Sequence, residues 1–196
     1  MLSDWVRDRT RWLVMPLVRL LAKAGISPNV LTLVGFVLNL IVAAIAAQGH
    51  LRLAGICAII SYSFDNLDGS LARESGQTSA FGGFLDSVTD RFSEAALFGG
   101  ILWFSMQQGD HVNVMLSYAA IIGSLLVSYA RARAEGIGVE CKVGLFTRFE
   151  RVVVLIAGLI LGQVRLALWL LALLANVTVV QRLAHVWRAS LGKNGA

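Results

Sequence analysis

Apolar residues in this chain fall in long unbroken blocks, not in the one-sided or alternating patterns of soluble helices and strands. No charged residue interrupts residues 30–47, 53–64, 95–108, 112–130, 152–164 or 166–181. A helix that is apolar all round is buried or faces lipid. Crossing a hydrocarbon core about 30 Å thick takes about 20 residues at 1.5 Å each. The six blocks therefore predict six transmembrane helices. The first and fourth reach full length with apolar residues alone. The second, third and fifth reach it only by taking in ionisable residues at one end. These are Asp65 and Asp68 for the second, Asp86, Asp90, Arg91 and Glu94 for the third, and Glu150 and Arg151 for the fifth. Irregular backbone cannot face lipid, so these ends remain helical. Their charges must turn toward the bundle interior or a wet cavity.

Ahead of the first block, residues 3–23 mix Trp5, Trp12, Leu13, Leu17 and Leu20 with five basic residues. This is the pattern of an interfacial amphipathic helix, which Pro16 kinks or divides. Ser27-Pro28-Asn29 marks the turn into the first span. The expected fold is an all-α integral membrane protein, with six transmembrane helices preceded by an N-terminal interfacial helix. The expected organisation is an interfacial juxtamembrane helix over 1–25, a six-helix transmembrane domain over 26–190 and a cytosolic tail over 191–196.

Composition agrees. Of 196 residues, 57% are hydrophobic and only 15% charged. So few polar residues could not cover a soluble particle, and disorder needs low hydrophobicity. The net charge of +5 would suggest nucleic acid on a soluble chain, but its distribution points elsewhere. Arg7, Arg9, Arg11, Arg19 and Lys23 lie in the N-terminal arm. Arg131, Arg133, Lys142, Arg148 and Arg151 lie between the fourth and fifth spans, and Arg182, Arg188 and Lys193 lie toward the C-terminus. The connections on the other face hold only Arg52 and Arg165. The positive-inside rule then places both termini in the cytosol, in a multi-pass protein of the cell membrane with membrane lipids, not nucleic acid, as partners. All three charged helix ends fall on the cytosolic side, which predicts one polar cavity opening there. Cys57 and Cys141 form no C-x-x-C pair, so neither a disulfide framework nor a zinc site is signalled.

The acids carry the chemistry. Asp65-x-x-Asp68-Gly69-x-x-Ala72-Arg73 is followed, eight residues on, by Gly82-x-x-x-Asp86-x-x-x-Asp90. Spacings of three and four share a helix face. Asp65 and Asp68 therefore project together from the end of the second span, and Asp86 and Asp90 from the start of the third. The intervening hairpin is expected to set the two faces opposite each other. Four carboxylates near a membrane interface need compensation, and hard divalent cations supply it. A pair of Mg²⁺ or Mn²⁺ ions is the usual device for displacement at phosphorus. Gly69 and Gly82 permit close approach, and Arg73 can hold phosphate bidentately. An ion or proton pathway is the competing reading of intramembrane acids. A proton relay has no need of Gly-x-x-Ala-Arg or of four acids at one depth, and the outer halves of the second and third spans are uninterrupted apolar segments.

These residues, at every fixed position from 65 to 90, resemble the signature of the CDP-alcohol phosphatidyltransferase family. The flank Ser27-Pro28-Asn29-Val30-Leu31-Thr32 and the six spans resemble it too, over roughly residues 10–188. The resemblance implies a reaction in which an acceptor hydroxyl attacks the lipid-side phosphorus of a CDP-linked lipid, CDP-diacylglycerol, and CMP leaves. It implies two metals, one held by Asp65, Asp68 and Asp86 and the other by Asp65, Asp86 and Asp90. Asp90 is implied as the general base, a choice among the acids that physical reasoning alone does not make. Gly69, Arg73, Ser79, Gly82 and Pro28, Asn29, Val30 and Leu31 match positions that contact the CDP-lipid. A homodimer is implied as well.

The acceptor is read from the second half. Ser128-Tyr129-Ala130-Arg131-Ala132-Arg133-Ala134-Glu135-Gly136, Arg148-Phe149-Glu150-Arg151 and Asp90-Arg91-Phe92-Ser93-Glu94 resemble the phosphatidylinositol phosphate synthase subgroup. Arg131, Arg133, Arg148 and Arg151 would then bind the phosphate of an acceptor such as inositol phosphate, whose charge several arginines must offset. The plain alternative makes these arginines topology markers. Arg151 stands apart, since a basic residue is unfavourable at a helix start and needs another purpose. Glycerol 3-phosphate is the alternative acceptor. A small metal-ion or proton transporter is the alternative from another class.

Overall fold

The computed structural model describes residues 15–193, without the side chains at 65, 66, 192 and 193. Most of the expected interfacial arm, residues 1–14, and residues 194–196 of the tail lie outside the described residues. Residues 15–23 are helical (α1). Six helices follow: α2 Pro28–Ala47, α3 Leu51–Glu74, α4 Ala80–Gln107, α5 His111–Gly136, α6 Arg148–Ile160 and α7 Val164–Lys193. The described chain contains no strand.

Local chemistry sets these boundaries. The Ser27 hydroxyl accepts from the Val30 N–H and Pro28 opens α2 with its φ already helical. Ser79 caps α4 through the Gly82 N–H at 3.0 Å. At α6, the Glu150 carboxylate accepts from the Thr147 backbone N–H at 2.9 Å and from its hydroxyl, a capping box. Short connections make successive helices antiparallel. The starts of α2, α4 and α6 and the ends of α3, α5 and α7 thus gather at one end of the bundle.

The packing closes a ring. α2 lies against α3 and α4, α5 against α4 and α7, and α6 against α3 and α7. Small residues allow these crossings. A Cβ on Gly100 of α4 would run into the Ala43 carbonyl of α2. Gly123 of α5 faces Ala175 and Asn176 of α7, and Gly158 of α6 faces Ala167. The core runs through the middle of the ring, with Phe98, Ile101, Leu155, Leu159, Leu168 and Leu171 almost fully buried. Although the hairpin joins α3 to α4, both pack chiefly on α2, not on each other. Their acidic ends diverge around a gap, into which α6 projects its first turn.

Three helices, Pro28–Ala47, His111–Gly136 and Val164–Leu191, are long and apolar enough to cross a membrane. α3 and α4 have the length, at 24 and 28 residues, but carry the charges already noted. α6 departs from expectation. Its 13 residues rise about 20 Å, short of a hydrocarbon core, because Leu161-Gly162-Gln163 turns the chain before the apolar block ends. α7 instead continues well past Gln181, to Lys193. α1 packs by Val18 into a small cluster with Leu31, Leu67 and Leu71, and Arg19 lies 3.5 Å from Glu74.

Candidate active site

Asp68 of α3 and Asp86 and Asp90 of α4 lie at the end where α2, α4 and α6 begin. Asp68 is buried at 6% exposure. Its Oδ2 accepts from the Thr32 hydroxyl of α2 at 2.6 Å, and its Oδ1 accepts from the Gly69 N–H at 2.5 Å. Asp65 lies three residues earlier on α3, so its backbone stands on the same face. Its side chain is outside the described residues. On α4, Asp86 is half-buried and Asp90 buried.

Glu94, four residues beyond Asp90, extends the acids of α4 into one stripe, and α6 faces that stripe with arginines. Arg148 Nη2 is 2.7 Å from Asp90 Oδ1, and its guanidinium lies 5.7 Å from the centre of the Tyr62 ring on α3. Arg91 Nη1 is 3.7 Å from Asp90 Oδ2. Deeper in the bundle, Arg151 donates bidentately to Glu94, Nε to Oε1 at 2.7 Å and Nη2 to Oε2 at 2.9 Å. These two side chains are 1% and 5% exposed.

The expected acceptor arginines thus separate. Arg148, one-third exposed, sits at the gap beside Asp90. Arg151 departs from the expected phosphate-binding position: its fork is committed to Glu94 inside the protein, which is the other purpose its place at a helix start demanded. Arg131 pairs with Glu135 at 2.8 Å on the exposed last turns of α5, and Arg133 is exposed there too.

The residues expected to meet the CDP-lipid divide in the same way. Arg73 is exposed and folds back over Gly69, where a Cβ would lie 3.6 Å from Nη1. Its Nη2 is 3.3 Å from the Ser70 hydroxyl. Asn29, Ser79 and Gly82 converge: a Cβ on Gly82 would lie 3.0 Å from Ser79 Oγ and 3.1 Å from Asn29 Oδ1. Pro28 and Leu31 are buried, Leu31 in the cluster with Val18, whereas Val30 is half exposed.

Four contributors went unassigned in the sequence. Glu94 was findable, being one helical turn beyond Asp90. Thr32 lies in the recognised flank, but its carboxylate partner is 36 residues away. Tyr62 is brought to Arg148 only by the packing of α3 on α6. Arg182, counted among the basic residues that set the topology, is buried. Its Nε donates to the Val143 carbonyl at 3.0 Å and its Nη1 to the Val127 carbonyl. With Thr178, whose hydroxyl accepts from the Phe146 N–H at 3.2 Å, it clips the 137–147 link to α7 and so sets where α6 begins.

An all-oxygen carboxylate set suits Mg²⁺ or Mn²⁺. Among the described side chains, which exclude Asp65, no three acids are drawn together. Asp68 is turned to Thr32 and Asp90 to Arg148.

Comparison with known proteins bears on this arrangement. The model of the CDP-alcohol phosphatidyltransferase family matches residues 25–186. The archaetidylinositol phosphate synthase of Pyrococcus horikoshii is 34% identical, over 90% of this chain and 92% of that one. The phosphatidylinositol phosphate synthase of Mycobacteroides abscessus is 34% identical, over 90% and 84%. The crystal structure of the Mycobacterium tuberculosis phosphatidylinositol phosphate synthase with CDP-DAG bound superposes with a TM-score of 0.85. It shares 31% identity and covers 89% of this chain and 93% of that one. The same enzyme in complex with manganese and citrate gives a TM-score of 0.84, covering 89% and 88%.

Proposed function

From the chain's membership of the CDP-alcohol phosphatidyltransferase family, we propose that it transfers a phosphatidyl group from CDP-diacylglycerol to a hydroxyl of inositol phosphate, releasing CMP, in phospholipid biosynthesis. The observation that carries this reading is the likeness, along nearly the whole chain, to the Mycobacterium tuberculosis phosphatidylinositol phosphate synthase crystallised with CDP-DAG. The names of the two relatives above share inositol phosphate and differ in the lipid. A CDP-linked archaeal lipid is therefore the second donor to test.

In this reading Asp65, Asp68, Asp86 and Asp90 would hold two Mg²⁺ or Mn²⁺ ions, which when bound offset the charge of the diphosphate and of departing CMP. The chain's own groups do the rest. Thr32 and the Gly69 N–H fix the Asp68 carboxylate, so its rotamer is set before substrate arrives. Arg73 and the Asn29–Ser79–Gly82 corner lie where the CDP moiety would be received. The acceptor hydroxyl oxygen attacks the lipid-side phosphorus, the bond from that phosphorus to the CMP oxygen breaks, and the hydroxyl proton passes to Asp90. Arg148 is the acceptor-phosphate ligand of choice, because it stands beside Asp90 at the gap. Asp90 and an incoming phosphate compete for its guanidinium, so phosphate binding would free the carboxylate to act as base. Arg131 and Arg133 add positive charge at the rim, while Arg151 positions Arg148 by anchoring α6 to α4.

We further propose six membrane crossings, with α6 as a short one flanked by polar turns. The polar end and both termini would face the cytosol, as the distribution of Lys and Arg requires. The unit would be a 26–190 catalytic domain with a membrane-surface helix over 1–25 and a 191–196 tail, paired as a homodimer on the family resemblance.

The test is CMP release by purified protein supplied with CDP-diacylglycerol and Mg²⁺ or Mn²⁺. Inositol phosphate, glycerol phosphate, inositol and serine are compared as acceptors. Turnover with inositol phosphate at least tenfold above the others is expected. Faster turnover with glycerol phosphate would move the chain to a different acceptor class.

A further inference from the structure

Arg52 and Arg165 stand in the first turns of α3 and α7, at the end of the bundle opposite the carboxylates. They are far apart in sequence, yet the fold sets both in the wall of one open cavity of about 630 Å³, together with His50, Asn113 and Gly162. Arg165 is held in a defined orientation, Nη2 2.7 Å from Asp110 Oδ2 and Nε 3.3 Å from Asn113 Oδ1. Arg52 makes no hydrogen bond or ion pair with any described residue. Gly162, at φ +70°, keeps the turn after α6 bare beside it, so that a Cβ there would lie 3.5 Å from Arg52 Nη2.

Two arginines and one aspartate leave this cavity with a net positive charge. Lys and Arg are depleted on the non-cytosolic face of membrane proteins, so the convergence of two arginines at one depression there marks it as a place that would attract an anion. A guanidinium prefers phosphate, whose oxygens match its planar fork. The depression is open, with room for a phosphate and the glycerol attached to it.

We propose that this cavity binds a phosphate-bearing anion between Arg52 and Arg165, at the opposite end of the bundle from the carboxylates. A phospholipid headgroup and free inorganic phosphate share the required chemistry, and the experiment separates them.

Purified full-length protein in detergent micelles is titrated calorimetrically, at constant ionic strength, with dihexanoyl-phosphatidylglycerol, with dihexanoylglycerol as the phosphate-free control, and with sodium phosphate. Wild type is compared with Arg52→Gln and Arg165→Gln. Arg52→Gln is the decisive variant, because Arg52 makes no hydrogen bond or ion pair with a described residue. It should raise the dissociation constant of at least one phosphate probe about tenfold, with dihexanoylglycerol unaffected. Loss confined to phosphatidylglycerol identifies a lipid headgroup, and equal loss for sodium phosphate identifies a soluble anion. Binding of both probes to Arg52→Gln as tight as to wild type overturns the proposal. Binding is the readout, so the outcome stands whether or not the transfer reaction proposed above is found.

Discussion

Arg148 and Arg151 sit three residues apart on α6 and have different surroundings, so they should fail differently. Arg148 lies at the gap beside Asp90. Its replacement by Ala removes charge-assisted hydrogen bonds worth about 1.5–3 kcal/mol. At about 1.4 kcal/mol per tenfold, the acceptor KM should rise roughly ten- to a hundredfold. The KM for CDP-diacylglycerol should hardly change, and Lys should rescue poorly for want of the planar fork. Arg151→Met instead strands the Glu94 carboxylate in the interior, at a cost of about 3–5 kcal/mol. Its thermal midpoint in detergent should fall steeply, and Glu94→Leu in the same chain should restore it, since a buried ion pair can be exchanged for apolar side chains of similar volume. A stable Arg151→Met with only a raised acceptor KM would return Arg151 to the substrate pocket. Among the acids, Asp86→Asn should abolish turnover at saturating Mg²⁺ with the melting transition intact. Asp90→Asn should slow it by about 10²–10⁴, the usual worth of a general base.

At the scale of the helix, adjacent glycines on α4 make opposite predictions. A side chain at Gly100 would strike the Ala43 carbonyl, whereas nothing lies near a Cβ at Gly99. Gly100→Val must push α2 from α4, costing about 1–3 kcal/mol or more. Gly99→Ala should be neutral or stabilise by up to about 1 kcal/mol through helix propensity alone. Thermal melts of the two variants decide whether the α2–α4 crossing depends on that one contact. The start of α5 offers a pH test. The Asn113 N–H and the Arg165 guanidinium hold the Asp110 carboxyl below its ordinary range. A carboxyl lowered by folding stabilises the native state above its unfolded pKa, near 3.8, and loses that effect as pH falls through the folded value. Asp110→Asn should therefore lower the melting midpoint at neutral pH, and the difference from wild type should vanish in strong acid.

For the whole molecule, the ring of helices puts the carboxylates and the Arg52–Arg165 cavity at opposite ends. The sidedness proposed from Lys and Arg can be checked with single cysteines, in a chain with Cys57 and Cys141 replaced. An impermeant maleimide applied to intact cells should label Gln108→Cys, in the α4–α5 turn, and spare Gly76→Cys, in the hairpin after α3. The reverse pattern would invert the topology and place the carboxylates outside.

What the sequence determined by itself was whatever depends on near neighbours along the chain. Long apolar blocks, the first entered through Ser27-Pro28-Asn29, specify helices, because helical hydrogen bonds are local. Spacings of three and four put Asp65 with Asp68, and Asp86 with Asp90, on common faces, so the family signature was legible without coordinates. The tertiary structure decided what depends on which helices touch. Periodicity cannot say that α2, and not the hairpin, separates α3 from α4, nor that α6 stops after 13 residues. Nor can it tell a surface arginine from a buried one. Arg151 and Arg182 looked like topology markers or ligands until packing placed Glu94 and the Val127 and Val143 carbonyls against them. A charge's partner in a bundle comes from another helix, and only the fold brings that helix near.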